Sequence, residues 1–507
     1  MSIYLGIEFG STRIKATAIN ENYKPLSFGD YTWQSSYENG VWTYDLNSAL
    51  IGLKETLSTI KNKESVKAVG ISGMMHGYLA FDKAWNLLTP FRTWQNTITA
   101  KAAEELTELF GFNIPQRWSI AHLYQAILNG EEHVKNIAHI TTLAGYIHYT
   151  LTGENVVGIG EASGIFPIDS QNLCYNKEML NKFNNLVKQR GLHFKIEDIL
   201  PKVLVAGDFA GKLTEKGAEI IDNMLPVGTP FAPPEGDAGT GMVATNAVME
   251  KTGNVSAGTS IFSMVVLQKP LKKVYPEIDI VTTPAGKDVA MVHCNNCTND
   301  SNAWVSVLKE TANLFGARPN NFETYEKLYK ESLKGESDCG GVLVCNYMAG
   351  ESITGLNYGM PMVVRKSGSR FTLANFLRAT LYSAISTLKV GMEILEEENV
   401  CINSIIGHGG YFKTEGVGQK YMAAALKTPV TCMETAGEGG SYGMAVLSAF
   451  LFNQNESLET FLTNKVFKDA KTKTVYPDTE TAQGFNSYMR EYKKLISVEE
   501  KAVEVFK

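Results

Sequence analysis

The chain has 507 residues, of which 44% are hydrophobic and 20% charged, a composition that excludes a disordered or fibrous protein and allows two or three domains. Lys and Arg number 47 against 53 Asp and Glu, a net charge of −6, so no basic excess exists to hold nucleic acid or an anionic bilayer. Seven cysteines at irregular spacing suggest free thiols in a reducing compartment. No apolar run is long enough to cross a bilayer, and the opening residues lack a basic segment, so a cytoplasmic location is expected.

Ile3, Leu5, Ile7 and Phe9 alternate with Tyr4, Gly6 and Glu8, the period of a β-strand. Gly10-Ser11-Thr12 breaks the run and Ile14, Ala16 and Ala18 resume it, which reads as a hairpin. Leu50, Leu53, Leu57 and Ile60 give a helical stripe, followed by an apolar strand from Val66 to Ile71 that ends at Ser72-Gly73. Pro226 to Pro234 holds four of the 16 prolines and reads as a seam between two halves. A second hairpin surrounds Gly258-Thr259-Ser260, 248 residues after the first. Two halves that each open on such a hairpin suggest a duplicated fold with a cleft between them. Phe376 to Leu395 carries the stripe of a long amphipathic helix. A strand at Ile402–Ile406, a helix over Gln419–Leu426, a strand at Val430–Met433 and an apolar helix from Ser441 follow, and this alternation indicates an α/β fold with parallel strands.

Small residues in the two turns let backbone N–H groups approach an anion, and their hydroxyls add donors, so Gly10, Ser11, Thr12, Gly258 and Thr259 suit phosphate; plain hairpin connection is the other reading. Glu8 precedes the first turn and could hold Mg²⁺ through water, or face solvent on an edge strand. Asp237, between glycines just before the second hairpin, could orient a hydroxyl and accept its proton in phosphoryl transfer; a turn residue bonded to its own backbone is the plainer alternative. His76 lies just past a strand end, where α/β folds bind ligands, and could bond a sugar hydroxyl or be a satisfied structural histidine. Trp94-Gln95-Asn96 offers an aromatic face and two amides suited to a polyol, against a simple packing Trp. The clusters Gly407 to Gly410 and Gly437 to Gly443 sit between strand and helix, where glycines admit a nucleotide or serve tight packing. Gly437 to Gly443 also keeps a dinucleotide-binding dehydrogenase in view. Cys294 and Cys297 have zinc-like spacing but no second pair, and read as structural. There is no Walker A motif and no Gly-x-Ser-x-Gly elbow.

With these motifs in order, the sequence resembles the FGGY carbohydrate kinases from Tyr4 to about Phe452. Leu5 to Thr12 and Val255 to Ser260 look like the two phosphate motifs, and Ile71 to Gly77 looks like the sugar-binding segment of xylulokinases. Leu151 to Glu154, Glu161 to Gly164, Gly236-Asp237, Tyr347 to Glu351, Ile405 to Gly410 and Glu438 to Gly443 match further family segments. The resemblance implies an α/β protein of two actin-like (ribonuclease H-like) domains of the sugar kinase/Hsp70/actin superfamily, with a catalytic cleft between residues 1–245 and 246–507. It implies ATP and Mg²⁺ as cofactors, Asp237 as base, the two turns on phosphates, Gly409 and Gly410 against adenosine, Met75, His76 and Trp94 around the sugar, and Glu8 at the metal. The expected substrate is a ketopentose, D-xylulose or L-ribulose, phosphorylated at its terminal hydroxyl. Another sugar or polyol (a deoxyketohexose, gluconate) and a non-kinase ATPase or regulator of the same fold are the alternatives. A homodimer is among the assemblies the family implies. Departures are Glu8 for the usual Asp, Met74 for Gln, Ala238 for the Asn of xylulokinases, Gln95-Asn96 for the x-Asp after Trp, and Ser352 for Arg.

Overall fold

The computed structural model describes residues 2–433 and 439–506. The chain forms two compact units, Met1–Met249 with Lys273–Val289 and Glu438–Asp469, and Glu250–Lys272 with Ala290–Gly437 and Ala470–Lys507.

In the first unit the alternating residues do form strands Ile3–Phe9 and Arg13–Ile19, paired antiparallel around the Gly10 turn. Pro25–Thr32 extends the sheet on one side; Val66–Gly73 and then Glu235–Gly236 extend it on the other, both parallel to Ile3–Phe9. Ile3, Leu5, Ile7 and Phe9 are all buried, so the face of the central strand that they share is covered. Helix Leu46–Ser58 covers one part of the sheet with Leu53 and Leu57; Asp45 caps it by accepting from the N–H groups of Asn47 and Ser48. Helix Gly439–Phe450 packs on Ile3–Phe9, and its approach requires the absence of a side chain at Gly6, where a Cβ would lie 2.1 Å from the Ser441 carbonyl oxygen.

The proline-rich stretch is not a seam. It lies inside the first unit, where Phe231 bridges to Val69 and leads into Glu235–Gly236. Residues without an N–H are tolerated at the margin of a sheet, so prolines there mark an edge as readily as a linker.

The second unit repeats the pairing scheme. Thr252–Ala257 and Ile261–Val266 form the second hairpin, and Ser404–His408 runs parallel to the first of these strands, with Val430–Met433 parallel beyond it. Each unit thus has an antiparallel hairpin whose first strand leads into two parallel neighbours. The long helix is Leu373–Glu397, capped by Thr372 and buried along most of its length. Beside it, buried tyrosines satisfy their hydroxyls internally: Tyr347 bonds Thr387 at 2.9 Å and Tyr411 donates to the Leu381 carbonyl at 3.0 Å.

Gly6→Ala should destabilise the first unit by about 1–3 kcal/mol, because the helix Gly439–Phe450 must back away from the sheet. The check is the midpoint of urea unfolding; an unchanged midpoint would show that the helix shifts without cost.

Candidate active site

Three parallel strands of the first unit end together. Their register sets Glu8 beside Ser72 and Ser72 beside Glu235, then Phe9 beside Gly73 and Gly73 beside Gly236. Beyond these ends lie the turn Gly10-Ser11-Thr12, the segment Met74-Met75-His76, and Asp237 at the start of helix Asp237–Ala244. Ligands of α/β sheets gather outside such carboxyl ends. Asp237 keeps part of its surface open, and its Oδ1 accepts a hydrogen bond from the Met75 N–H at 3.1 Å. Ser72 Oγ and Thr240 Oγ1 share a 3.0 Å hydrogen bond that pins this helix to the central strands.

Carboxylates crowd this end of the sheet. Burial, and then the charge of Glu8, push Asp237 up to about 6, against the N–H groups of Met75 and Ala238. Burial pushes Glu235 up to about 8, although it accepts from the N–H groups of Glu161 at 2.9 Å and Gly160 at 3.4 Å. Glu161 is fully buried beside Gly236 and raised well above the usual range by burial, with the Thr142 hydroxyl opposing and the charges of Glu235 and Asp237 adding. Glu8 is half-buried in the central strand rather than on an edge; its Oε2 accepts from the Ser441 N–H at 3.3 Å, and burial raises it against the pull of Lys15.

His76 is held in the left-handed region, φ 74°, which costs a non-glycine residue about 1–3 kcal/mol and is retained where the surroundings enforce it. Its ring stacks on Trp118 with centroids 6.3 Å apart, over Gly164, where a Cβ would lie 2.5 Å from Nδ1. Met75 is buried against Gly236. Trp94 is half-buried against the core of the unit. Asn96 is not available to a ligand: its amide donates to the Trp42 and Thr93 carbonyls and accepts from the Trp42 N–H at 2.8 Å.

The first turn is closed by the Gly10 N–H donating to Arg13 O at 3.0 Å. In the second unit the Gly258 N–H donates to Ser260 O at 2.9 Å, a tighter closure that spans one residue fewer. Gly409, with φ 98°, lies so close to the strand before this turn that a Cβ would fall 2.4 Å from Ala257 O, whereas a Cβ at Gly410 would meet nothing within 4 Å. Cys294 and Cys297 are buried thiols raised by burial. Among the described residues no group of three or more His, Cys, Asp or Glu could hold a metal ion. Gly437 and Glu438 lie outside the described residues; of the same cluster, Gly440 packs against Glu8 and Gly443 against the Thr240 carbonyl. Glu161 and Glu235 escape a reading of the chain because nothing local marks them as buried; the small residues around Glu161 and the Gly236-Asp237 pair beside Glu235 were the only signals.

Residues 3–243 match the model of the FGGY family of carbohydrate kinases, N-terminal domain, and residues 253–452 match that of its C-terminal domain. The chain belongs to the FGGY family of carbohydrate kinases. It is an ATP-dependent phosphotransferase, which removes the dehydrogenase reading. A xylulose kinase of Haemophilus influenzae is 23% identical over 513 residues, covering 96% of this chain and 98% of that protein. One of Staphylococcus xylosus is 21% identical over 98% of this chain and all of its own length. Among solved structures, ligand-bound xylulose kinase from Lactobacillus acidophilus has a TM-score of 0.81 at 15% identity, with 98% of each chain covered. Gluconate kinase from the same organism has 0.80 at 15% over the same shares, and Plasmodium falciparum glycerol kinase with ADP has 0.76 at 14%, again over 98% of each chain. At these identities the structural likeness establishes the two-domain α/β fold.

Glu235 is held neutral to about pH 8 in the fold, against ~4.3 in an unfolded chain. Such a raised carboxyl contributes stability that is complete below the unfolded value and lost as pH rises through the folded one. Glu235→Gln should therefore gain on the wild type as pH rises from about 5 to about 9, read as melting temperature. A constant offset across that range would contradict it.

Proposed function

We propose that the chain transfers the γ-phosphoryl group of ATP to the terminal hydroxyl of a ketopentose, D-xylulose or L-ribulose, giving the 5-phosphate and ADP. The observation that carries this reading is Asp237, a partly accessible carboxylate fixed by the Met75 N–H beside His76 at the carboxyl end of the sheet. Xylulose kinases that align over 96–98% of the chain support the ketopentose.

In this reading Met75, His76 and Trp94 hold the sugar, and Asp237 orients its terminal hydroxyl. The hydroxyl oxygen attacks the γ-phosphorus, the bond to the bridging oxygen breaks, and ADP leaves. Asp237 takes the hydroxyl proton late, as suits a loose transition state in which the acceptor needs little activation. Gly10, Ser11, Thr12, Gly258 and Thr259 bind phosphates, and Gly409 and Gly410 lie against adenosine. Residues 1–245 then serve the sugar and the first phosphate motif, and 246–507 the second phosphate motif and the adenosine. Glu8 fits Mg²⁺ as a hard oxygen donor beside a second carboxylate, and the lack of a three-residue cage among the described residues suits an ion that keeps its water and arrives with the nucleotide. When bound, such an ion neutralises phosphate charge. All seven cysteines are free of disulfides, which supports a cytoplasmic enzyme; a homodimer is the assembly we propose. No helix among the described residues is long and apolar enough to cross a membrane.

Asp237→Ala should lower kcat with D-xylulose or L-ribulose by about 10²–10⁴-fold while leaving the Kd for ATP near the wild-type value. Retained turnover would remove Asp237 as base. Wild-type kcat/KM should fall as pH drops through about 6, where Asp237 gains its proton, and a flat profile there would contradict that assignment. His76→Ala should raise KM for the sugar and spare KM for ATP; the reverse pattern would refute its place in the sugar site.

A further inference from the structure

A hairpin turn carries carbonyl oxygens as well as amides, and a phosphate is repelled by the first and attracted by the second. Because the trans peptide is planar, fixing the carbonyl of one residue aims the N–H of the next in the opposite direction. A glycine-containing turn can flip such peptides at little steric cost, so its amides converge on an anion only if something holds the carbonyls back.

Both turns have their carbonyls held, by residues that belong to neither. In the first unit, Trp33 Nε1 donates to Gly10 O at 2.7 Å, the Tyr44 hydroxyl donates to Ser11 O at 2.6 Å, and the Trp33 N–H donates to Thr12 O at 3.1 Å. The two donors brace each other, with ring centroids 4.4 Å apart, and both are buried. In the second unit, Gly258 O accepts from the Thr298 N–H at 3.0 Å and from the Thr298 hydroxyl at 2.7 Å, while Thr259 O accepts from the Cys297 N–H at 3.0 Å. The tethered carbonyls leave the amides of Ser11, Thr12, Thr259 and Ser260 aimed away from their tethers. Ser11, Thr12, Thr259 and Ser260 also keep part or most of their surface exposed.

The second set of tethers has its own support. The Asn296 side chain accepts from the N–H groups of Met348 and Ala349 at 2.9 and 3.0 Å and donates to Glu351 at 3.1 Å. Asn346 donates to Cys297 O at 2.9 Å. The segment around Cys294 and Cys297 therefore serves as a bracket for a turn.

We propose that Trp33 and Tyr44 in the first unit and Thr298 in the second are positioning residues that hold the two turns with their amides directed at the phosphates of ATP. This rests on reading both turns as phosphate sites. The two turns are supported by different means, indole and phenol in one and a threonine with its own backbone in the other, so each can be tested alone.

The test is Tyr44→Phe, Thr298→Val and Thr298→Ser in the full chain, with KM for ATP, KM for the sugar, melting temperature and calorimetric binding of Mg–ADP measured for each. Removing one hydroxyl should raise KM for ATP and the Kd for Mg–ADP about three- to tenfold, leave KM for the sugar within about twofold, and leave the melting temperature near wild type. Thr298→Ser, which restores the hydroxyl, should return ATP affinity to wild type. Unchanged nucleotide affinity in both Tyr44→Phe and Thr298→Val, or an equal rise in both KM values, would overturn the proposal while leaving the phosphate reading intact. Wild-type protein that binds no Mg–ADP would overturn that reading and the proposal with it. Should Thr298→Val fail to fold, Tyr44→Phe decides.

Discussion

One hydrogen bond, from the Met75 N–H to the Asp237 carboxylate, joins the segment proposed to hold the sugar to the residue proposed as base. It forms because Val66–Gly73 and Glu235–Gly236 lie side by side in parallel register, so the residues leaving the two strands emerge together. Shifting Val66–Gly73 by one residue would turn Ser72 to the opposite face, shifting Glu235–Gly236 would turn Glu235, and either shift would part Met75 from Asp237. The close seat of helix Gly439–Phe450 on Gly6 holds the same strands from one face and supplies the Ser441 N–H that Glu8 accepts.

The cost of this arrangement is electrostatic. Glu8, Glu161, Glu235 and Asp237 all sit where burial disfavours their charged forms, and Glu161 and Asp237 are raised further by a neighbouring carboxylate. Of the four, only Glu8 and Asp237 keep part of their surface open, and oxygen acceptors there suit a ligand that brings donors or a cation that brings positive charge. The second unit shows the opposite economy. Its turn and its glycine-lined loop present backbone groups near Gly258 and Gly409, which suits a ligand rich in anionic oxygen.

What could be read from the chain was what local pattern encodes. Alternation at Ile3 to Phe9 gave the central strand, the stripe from Phe376 to Leu395 gave the long helix Leu373–Glu397, and both hairpins fell where Gly10 and Gly258 break apolar runs. The repeated pairing scheme agrees with a duplication inferred from those two turns. What escaped depends on contacts between distant segments. Asn96 looks free for a ligand until Trp42, 54 residues away, is seen to occupy its amide. Nothing in the sequence near Glu161 shows that it is fully buried, with Gly236, 75 residues on, packed against its carboxyl. Thr298 has no local feature at all to connect it with Gly258, 40 residues earlier. The proline-rich stretch misled for a related reason, since proline marks both linkers and sheet margins and only the partner strand distinguishes them.

The central claim is that a ketopentose hydroxyl is the acceptor. It is tested most directly by coupled ADP release with ATP–Mg²⁺ against D-xylulose, L-ribulose, D-ribulose, L-xylulose, gluconate and glycerol. Saturable turnover with D-xylulose or L-ribulose, far above the rate without sugar, is the expected result. Background rates with every ketopentose, alongside saturable turnover with gluconate or glycerol, would contradict it and move the substrate to another branch of the family.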